Sequence, residues 1–260
     1  MLGQGPEVSV IVAVTRPGVL GAALAGIADQ KIAGPIEVVL VWDGLAPAPV
    51  GSWPFTVVSV PSGSSRRAGL ARTWNTGIET ARAQVLAICD DDDRWRPDHL
   101  DAALRLLGGP CDAVHGAAWV LDAASGRRHP FHFPLSPEIL RHTNPVIPST
   151  AVFTRRAWER TGPFDPGLRY YTDWDWVLRS LAAGVVWRRI EHPTVDYVWA
   201  GPGGNDSAAR STQRAAELAR LCARHGLDAL PVADFFAMAT DRRWDAWRLP
   251  VQGWPEAPGP

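Results

Sequence analysis

The chain has 260 residues, 46% of them hydrophobic and 20% charged, with a formal net charge of −1. That is enough chain for one large α/β domain, or one with a modest subdomain, and with an even charge balance and no basic stripe neither nucleic acid nor an anionic membrane is suggested as the main partner. No apolar run approaches the roughly 20 residues of a membrane-spanning helix.

The opening MLGQGPEVSV lacks the basic patch and small-residue cleavage site of a secretion signal, so a cytoplasmic protein is expected. Cys89, Cys111 and Cys222 are far apart and form no C-x-x-C pair, which points to neither a disulfide framework nor a zinc site. Thirteen tryptophans suit stacking on sugars or bases, but core and interface packing accounts for them more simply.

Val8 to Val14 is a continuous β-branched run, the pattern of a strand covered on both faces of a parallel sheet. Pro17 opens a helical stretch to about Asp29. Apolar runs at Ile36–Val41 and Thr56–Val60 end in Trp42-Asp43-Gly44 and Pro61-Ser62-Gly63. Residues 69–83 turn helical, Val85–Cys89 is strand-like, and Pro97 and Asp98 open a helix carrying Leu100, Leu104 and Leu107 on one face. The order β-α-β-β-α-β-α predicts an open doubly wound sheet.

Beyond it lie a strand candidate at Ala113–Val120, a crossing loop at HPFHFPLSPE, a strand at Thr150–Thr154, and helices from Arg155 and from near Thr172. Strands at Val185–Ile190 and Val195–Trp199, a GPGGN turn, and an Ala- and Arg-rich helix over 207–225 follow. The last 35 residues carry Trp244, Trp247 and Trp254 and end Pro-rich. No internal repeat is visible. The predicted division is one half over 1–110, a second over 111–225, and a C-terminal extension over 226–260 that either covers a neighbouring cleft or forms a homodimer contact.

Asp90, Asp91, Asp92 and Asp93 follow one strand and Asp43 follows another, on the sheet rim where ligands bind. Each adjacent like-charge pair costs about 4 kcal/mol at 4 Å and an effective dielectric near 20, before screening. A hard divalent cation, completing its shell with water and phosphate oxygens, would offset that repulsion. A solvated turn is the simpler alternative, but it does not need a buried strand leading in and Trp95-x-Pro97 locking the exit.

VSVIVAV, EVVLVWDG, GLARTWNTGI and VLAICDDDDRWRPDHL, in that order, followed by PSTAVFTRRAWERTGPFDPGLRYYTDWDWVLRSLAAG, resemble the family 2 glycosyltransferases of GT-A fold over about residues 7–207. The resemblance implies an α/β fold with a Rossmann-like, mostly parallel sheet flanked by helices and a mixed acceptor-side half. It implies that Asp90 and Asp92 are the ends of a D-x-D motif that binds the donor's ribose and the Mn²⁺ or Mg²⁺ on its diphosphate. It implies that Asp43 contacts the nucleobase and that Asp173 is the general base of an inverting displacement. On the acceptor side it points to Trp174, Asp175 and Asn144.

The residues themselves give helix 172–181 a core stripe of Trp174, Val177, Leu178 and Leu181 that excludes both aspartates. Thr172-x-x-Asp175 has the form of a capping box and Asp175 can pair with Arg179, which makes Asp175 a structural residue first. Asp173 lies in the first turn, where the helix dipole favours its ionised form. Arg66, Arg67 and Arg72 suit a diphosphate clamp, or merely a surface loop. Asn75 and Gly77 match an N-x-G helix whose simpler role is packing.

Three departures from the family pattern stand out. Trp42 precedes Asp43 where an aspartate is usual, Trp74 replaces an arginine, and no histidine follows the late strand to complete a metal site. His192, Asn205, Asp206 or water would have to stand in. The resemblance also implies a nucleotide-sugar donor, with UDP the first guess, held by residues 1–110, and an acceptor, a small molecule or carrier-bound glycan precursor, held with the catalytic base by 111–225. The alternatives are a sugar-1-phosphate nucleotidyltransferase, whose phosphate loop AVTRPGVLGAAL supplies poorly with only Arg16 and scattered glycines, and a non-catalytic nucleotide-sugar- or glycan-binding protein of the same fold.

Overall fold

The computed structural model describes residues 5–201, 211–251 and 254. Asn205 and Asp206, the GPGGN turn after Gly201, and the first residues of the 207–225 helix lie outside them. The first half alternates β1 (Val8–Val14), α1 (Leu20–Ala28), β2 (Ile36–Trp42), β3 (Thr56–Pro61), α2 (Leu70–Thr80), β4 (Val85–Asp90), β5 (Arg94–Trp95) and α3 (His99–Leu106). The second half holds β6 (Ala113–Asp122), β7 (Arg128–Phe131), α4 (Pro137–Leu140), β8 (Val152–Thr154), α5 (Arg155–Thr161), α6 (Thr172–Ala182), β9 (Trp187–Trp199), α7 (Thr212–His225) and α8 (Phe235–Thr240).

Among the described residues these strands form one sheet in the order β3-β2-β1-β4-β8-β6-β9-β5, with β7 also on β6. β3, β2, β1 and β4 run parallel, as their apolar runs predict, and all seven residues of β1 are buried. β8 joins β4 and β6 antiparallel, and that reversal opens the mixed half. Apolar side chains on one sheet face meet α1, α3 and α8. Those on the other face, led by Ile11, Val39 and Leu86, meet α2, α6 and α7.

α2 approaches the sheet closely because residue 77 is glycine: a Cβ there would lie 2.4 Å from Ile11 Cγ2. Asn75 accepts from the Phe164 amide at 2.9 Å and donates to its carbonyl at 2.8 Å, tying α2 to the loop before α6. Trp95 locks the exit from the aspartate run through its indole N–H, 2.8 Å from the Ser149 carbonyl oxygen.

Three segments differ from expectation. The predicted crossing loop at HPFHFPLSPE instead contributes β7 and α4, because β6 runs on to Asp122 and turns through a polar stretch with Gly126 at φ 71°. The two strands predicted at 185–190 and 195–199 are one strand, β9, whose register against β6 slips at Ala117, opposite Pro193. The short β5 pairs with β9 and has no periodic signal of its own.

Candidate active site

Because β1 and β4 are parallel neighbours, the loops at their carboxyl ends meet. One brings Thr15 and Arg16, the other the four aspartates, and the four have different fates. Asp91 is buried and accepts from the amides of Thr15 and Arg16, each at 2.6 Å, and from the Thr15 hydroxyl at 3.0 Å, so it fixes the β1 loop. Asp93 is fully buried and accepts from the Val198 amide at 2.9 Å, joining the turn to β9.

Asp90 and Asp92, with Asp91 between them, line a cavity of about 260 Å³. Oδ1 of Asp90 is buried there without a hydrogen-bond partner. Asp92 Oδ2 meets the guanidinium of Arg16 at 2.7 Å, and the same Nη2 lies 3.0 Å from Asp91 Oδ1. Burial, with repulsion from Asp92 and Asp91, pushes the Asp90 carboxyl up to about 8. Burial also raises Asp92, against the opposing pull of Arg16, and carries Asp93 well above the carboxylate range with the charges of Asp92 and Asp90 adding to it. The cluster is therefore short of positive charge.

Asp173 lines the same cavity, from the first turn of α6. Asn144 Nδ2 donates to its Oδ2 at 2.8 Å, and Asn144 is itself held by paired bonds to the Val146 backbone, each 3.1 Å. Burial raises the Asp173 carboxyl to about 6, opposed by hydrogen bonds from the Trp174 amide and Asn144. Its negative charge also helps hold Asp90 up. Trp174 lines the same cavity, and so does Arg67, which donates to the Thr15 carbonyl at 3.1 Å.

Other expected site residues lie elsewhere. Asp175 is fully buried outside the cavity lining, bound to Arg179 at 2.7 Å, Arg224 at 3.0 Å and His225 at 2.9 Å, which corrects its placement on the acceptor side. Nor does the capping box form: Tyr171 occupies the N-cap without a side-chain bond and the Thr172 hydroxyl has no partner. With the guanidinium groups of Arg179 and Arg224 at hand, Asp175 turns to full charges rather than to an amide.

Asp43 is buried beside the cavity but outside its lining, and its oxygens accept from the amides of Ala68 at 2.6 Å and Gly69 at 3.1 Å. It thereby sets the entry to α2. Gly44, at φ 70°, lets that loop pass, since a Cβ would lie 2.6 Å from the Arg66 backbone. Arg66 and Arg72 are exposed and outside the lining. His192 Nε2 is 2.8 Å from Asp98 Oδ2 on the α3 side and does not line the cavity, so it is not a stand-in metal ligand. Trp74, in place of an arginine, is a buried part of the lining and packs edge-on against Phe164.

Three residues escaped the sequence reading. Arg16 was weighed only as a phosphate-loop residue, although a cation directly after the strand that neighbours β4 must face the aspartates. Arg214 and Glu217 lie in the Ala- and Arg-rich helix with nothing in the sequence to set them apart, yet both are buried. Glu217 accepts from the amides of Arg169, Tyr170 and Tyr171 at 3.0, 2.6 and 3.1 Å, and Arg214 donates to the Tyr171 hydroxyl at 3.1 Å and the Ala233 carbonyl at 2.7 Å. Together they shape the cavity wall below α6. The C-terminal extension closes that wall with Asp234, Phe235 and Met238, while Trp254 packs against Trp119 and His132.

Among the described residues no group of three or more His, Cys, Asp or Glu side chains is arranged to hold a metal. Magnesium-type sites often use one or two carboxylates with substrate phosphates completing the shell. The unpartnered oxygen of Asp90 and the cation-bound oxygen of Asp92 fit that pattern.

Residues 9–162 match the model of glycosyl transferase family 2. The chain is 30% identical over 238 residues to the uncharacterized glycosyltransferase YwdF of Bacillus subtilis (strain 168), covering 87% of this chain and 86% of that one. Its fold is similar to that of S. aureus TarS 1–349 in complex with UDP-GlcNAc, with TM-score 0.64, 14% identity, and coverage of 84% of this chain and 66% of that one. It is also similar to the mannosyltransferase PcManGT from Pyrobaculum calidifontis in complex with GDP-Man and Mn²⁺, with TM-score 0.58, 22% identity, and coverage of 94% of this chain and 70% of that one. The chain thus spans just under two thirds of the TarS fragment. The mixed sheet with its flanking helices is the GT-A architecture, and the chain belongs to glycosyl transferase family 2, a family of transferases.

Proposed function

We propose that the protein transfers a sugar from a nucleoside-diphosphate donor, UDP being the first to test, to an acceptor hydroxyl with inversion at the anomeric carbon. In this reading residues 1–110 hold the donor, 111–225 the acceptor and base, and 226–260 finish the acceptor wall. The observation that carries it is that Asp173 shares one cavity with Asp90 and Asp92 while having a separate set of hydrogen-bond partners.

Asp173 takes the acceptor's proton as the new oxygen–carbon bond forms and the bond from the anomeric carbon to the phosphate oxygen breaks; the nucleoside diphosphate leaves with the bonding pair. Asn144 orients the carboxylate and keeps it ionised near neutral pH. Asp90 and Asp92 would hold Mn²⁺ or Mg²⁺, which when bound supplies positive charge to the leaving diphosphate. Arg67 lines the same cavity and its guanidinium suits phosphate oxygens. The cavity's size and its aromatic side chains suit a small or carrier-bound acceptor with a sugar-like face. No helix among the described residues is long and apolar enough to cross a membrane.

The test is calorimetric titration with UDP, GDP and dTDP, with and without Mn²⁺, repeated on Asp92→Ala for the tightest case. Metal-dependent binding by one nucleotide, lost in the variant, is the expected result. No binding under any metal condition removes the donor-site reading. Turnover separates enzyme from binding protein: release of free nucleotide from its sugar conjugate is expected, even slowly to water.

A further inference from the structure

Arg16 stands where a cation is wanted. Its Nη2 lies between Asp91 Oδ1 at 3.0 Å and Asp92 Oδ2 at 2.7 Å, at the cavity wall. The two contacts are not equivalent. Asp91 is built into the fold, because it also accepts from the amides of Thr15 and Arg16 and from the Thr15 hydroxyl. Asp92 faces the cavity beside Asp90, whose own Oδ1 has no hydrogen-bond partner. The Arg16 side chain keeps 35% of its surface exposed, so it can turn away from Asp92 while its backbone stays fixed by Asp91.

We infer that Arg16 is the resting counter-ion of Asp92 and that it couples metal binding to nucleotide binding at this site. The inference rests on the reading of Asp90 and Asp92 as the metal–diphosphate site. A divalent cation on Asp92 competes with the guanidinium for the same carboxylate, and two cations there repel. A diphosphate relieves the competition, because its oxygens offer the guanidinium a paired, charge-assisted partner a short swing away. Metal alone therefore binds poorly, nucleotide improves metal binding, and by linkage metal improves nucleotide binding by the same factor. Arg16 is in these terms a positioning residue that keeps Asp92 from capturing metal before the donor arrives.

The test is titration of Mn²⁺ into wild type, Arg16→Gln and Arg16→Lys, followed by electron paramagnetic resonance of the free ion, alone and with saturating UDP or GDP. Circular dichroism melts establish that each variant is folded. Wild type is expected to bind Mn²⁺ alone weakly and roughly tenfold tighter with nucleotide, a coupling typical of linked sites. Arg16→Gln is expected to bind Mn²⁺ alone roughly three- to tenfold tighter than wild type, as loss of one partly exposed ion pair allows. Its nucleotide-induced gain should be smaller and its nucleotide affinity lower. Arg16→Lys, which keeps the charge but lacks the forked guanidinium that pairs with a diphosphate, should fall between them, a graded response that a merely structural role would not give.

Equal or weaker Mn²⁺ binding by both variants, with metal–nucleotide binding intact in wild type, overturns the role of Arg16 and leaves the donor site standing. If wild type binds no Mn²⁺ with either nucleotide, the donor-site reading falls and the coupling with it.

Discussion

Asn144 Nδ2 lies 2.8 Å from Asp173 Oδ2 and donates to it, so the amide that orients the proposed base is itself locked into the turn at Val146. This hydrogen bond opposes the burial that lifts the Asp173 carboxyl to about 6. A base works only when ionised, so kcat/KM should fall as pH drops below about 6 and level off above it. Asn144→Ala removes a group that favours the charged form, and the acid limb of the pH–rate profile should move to higher pH. Asp173→Asn should lower kcat by about 10²- to 10⁴-fold, the usual contribution of a general base, with nucleotide affinity unchanged.

Asp90 sets binding against stability. Its carboxyl is raised to about 8 in the fold from an ordinary 3.8, so the folded protein holds an extra proton between those values. The group's favourable contribution is complete below the unfolded value and is lost as pH rises through about 8. Asp90→Asn should therefore raise Tm at pH 8 by about 2–4 °C, the response to about 1 kcal/mol in a chain of this size, and do little at pH 4. The same variant should lose metal-dependent nucleotide binding. Melting curves at the two pH values check the sign.

Asp175 carries the opposite linkage. Hydrogen bonds from His225 and Arg179 outweigh burial and hold its carboxyl below the ordinary range, so its stabilisation is present above that range and fades as pH falls through its folded value. Asp175→Asn strands the charges of Arg179 and Arg224 beside a buried neutral group and should cost about 3 kcal/mol or more in denaturant unfolding. The acceptor KM of the folded fraction should stay near wild type. A large rise in KM with normal stability would contradict the structural role.

Phe235 tests the extension's part in the acceptor wall. Phe235→Ala removes an aromatic face from the cavity and should raise the acceptor KM by roughly tenfold, the order expected for a lost apolar contact. Nucleotide Kd, measured by calorimetry, should stay within about twofold because the donor residues are on other elements.

The parallel half was legible because each of its strands is a short apolar run ending at a turn signal, and a strand covered on both faces needs nothing else. The aspartate run was legible as chemistry but not as four separate roles. Only the meeting of β1 with β4 and of the turn with β9 assigns Asp91 to the Thr15 loop and Asp93 to Val198. The hairpin of β6 and β7 was hidden by His129 and Pro130, which read as loop residues although β7 is short and paired with β6 alone. β9 was split in two at Pro193, where the strand continues through a register slip. Arg214 and Glu217 were illegible for a different reason: on an isolated helix they are solvated charges, and only the packing of α7 under residues 169–171 buries them against amides, a hydroxyl and a carbonyl.

The wall formed by α8 has a consequence for how such a protein can diversify. Phe235 and Met238 belong to a segment that comes after every strand of the sheet, and it docks mainly through side chains, such as Phe235 on Phe131 and Tyr197 and the Thr143 hydroxyl on the Met238 sulfur. Changes there can reshape what enters the cavity without moving Asp90, Asp92 or Asp173. Descendants of one ancestral chain could thus inherit the aspartate site intact and vary what enters the cavity by drift in this one segment.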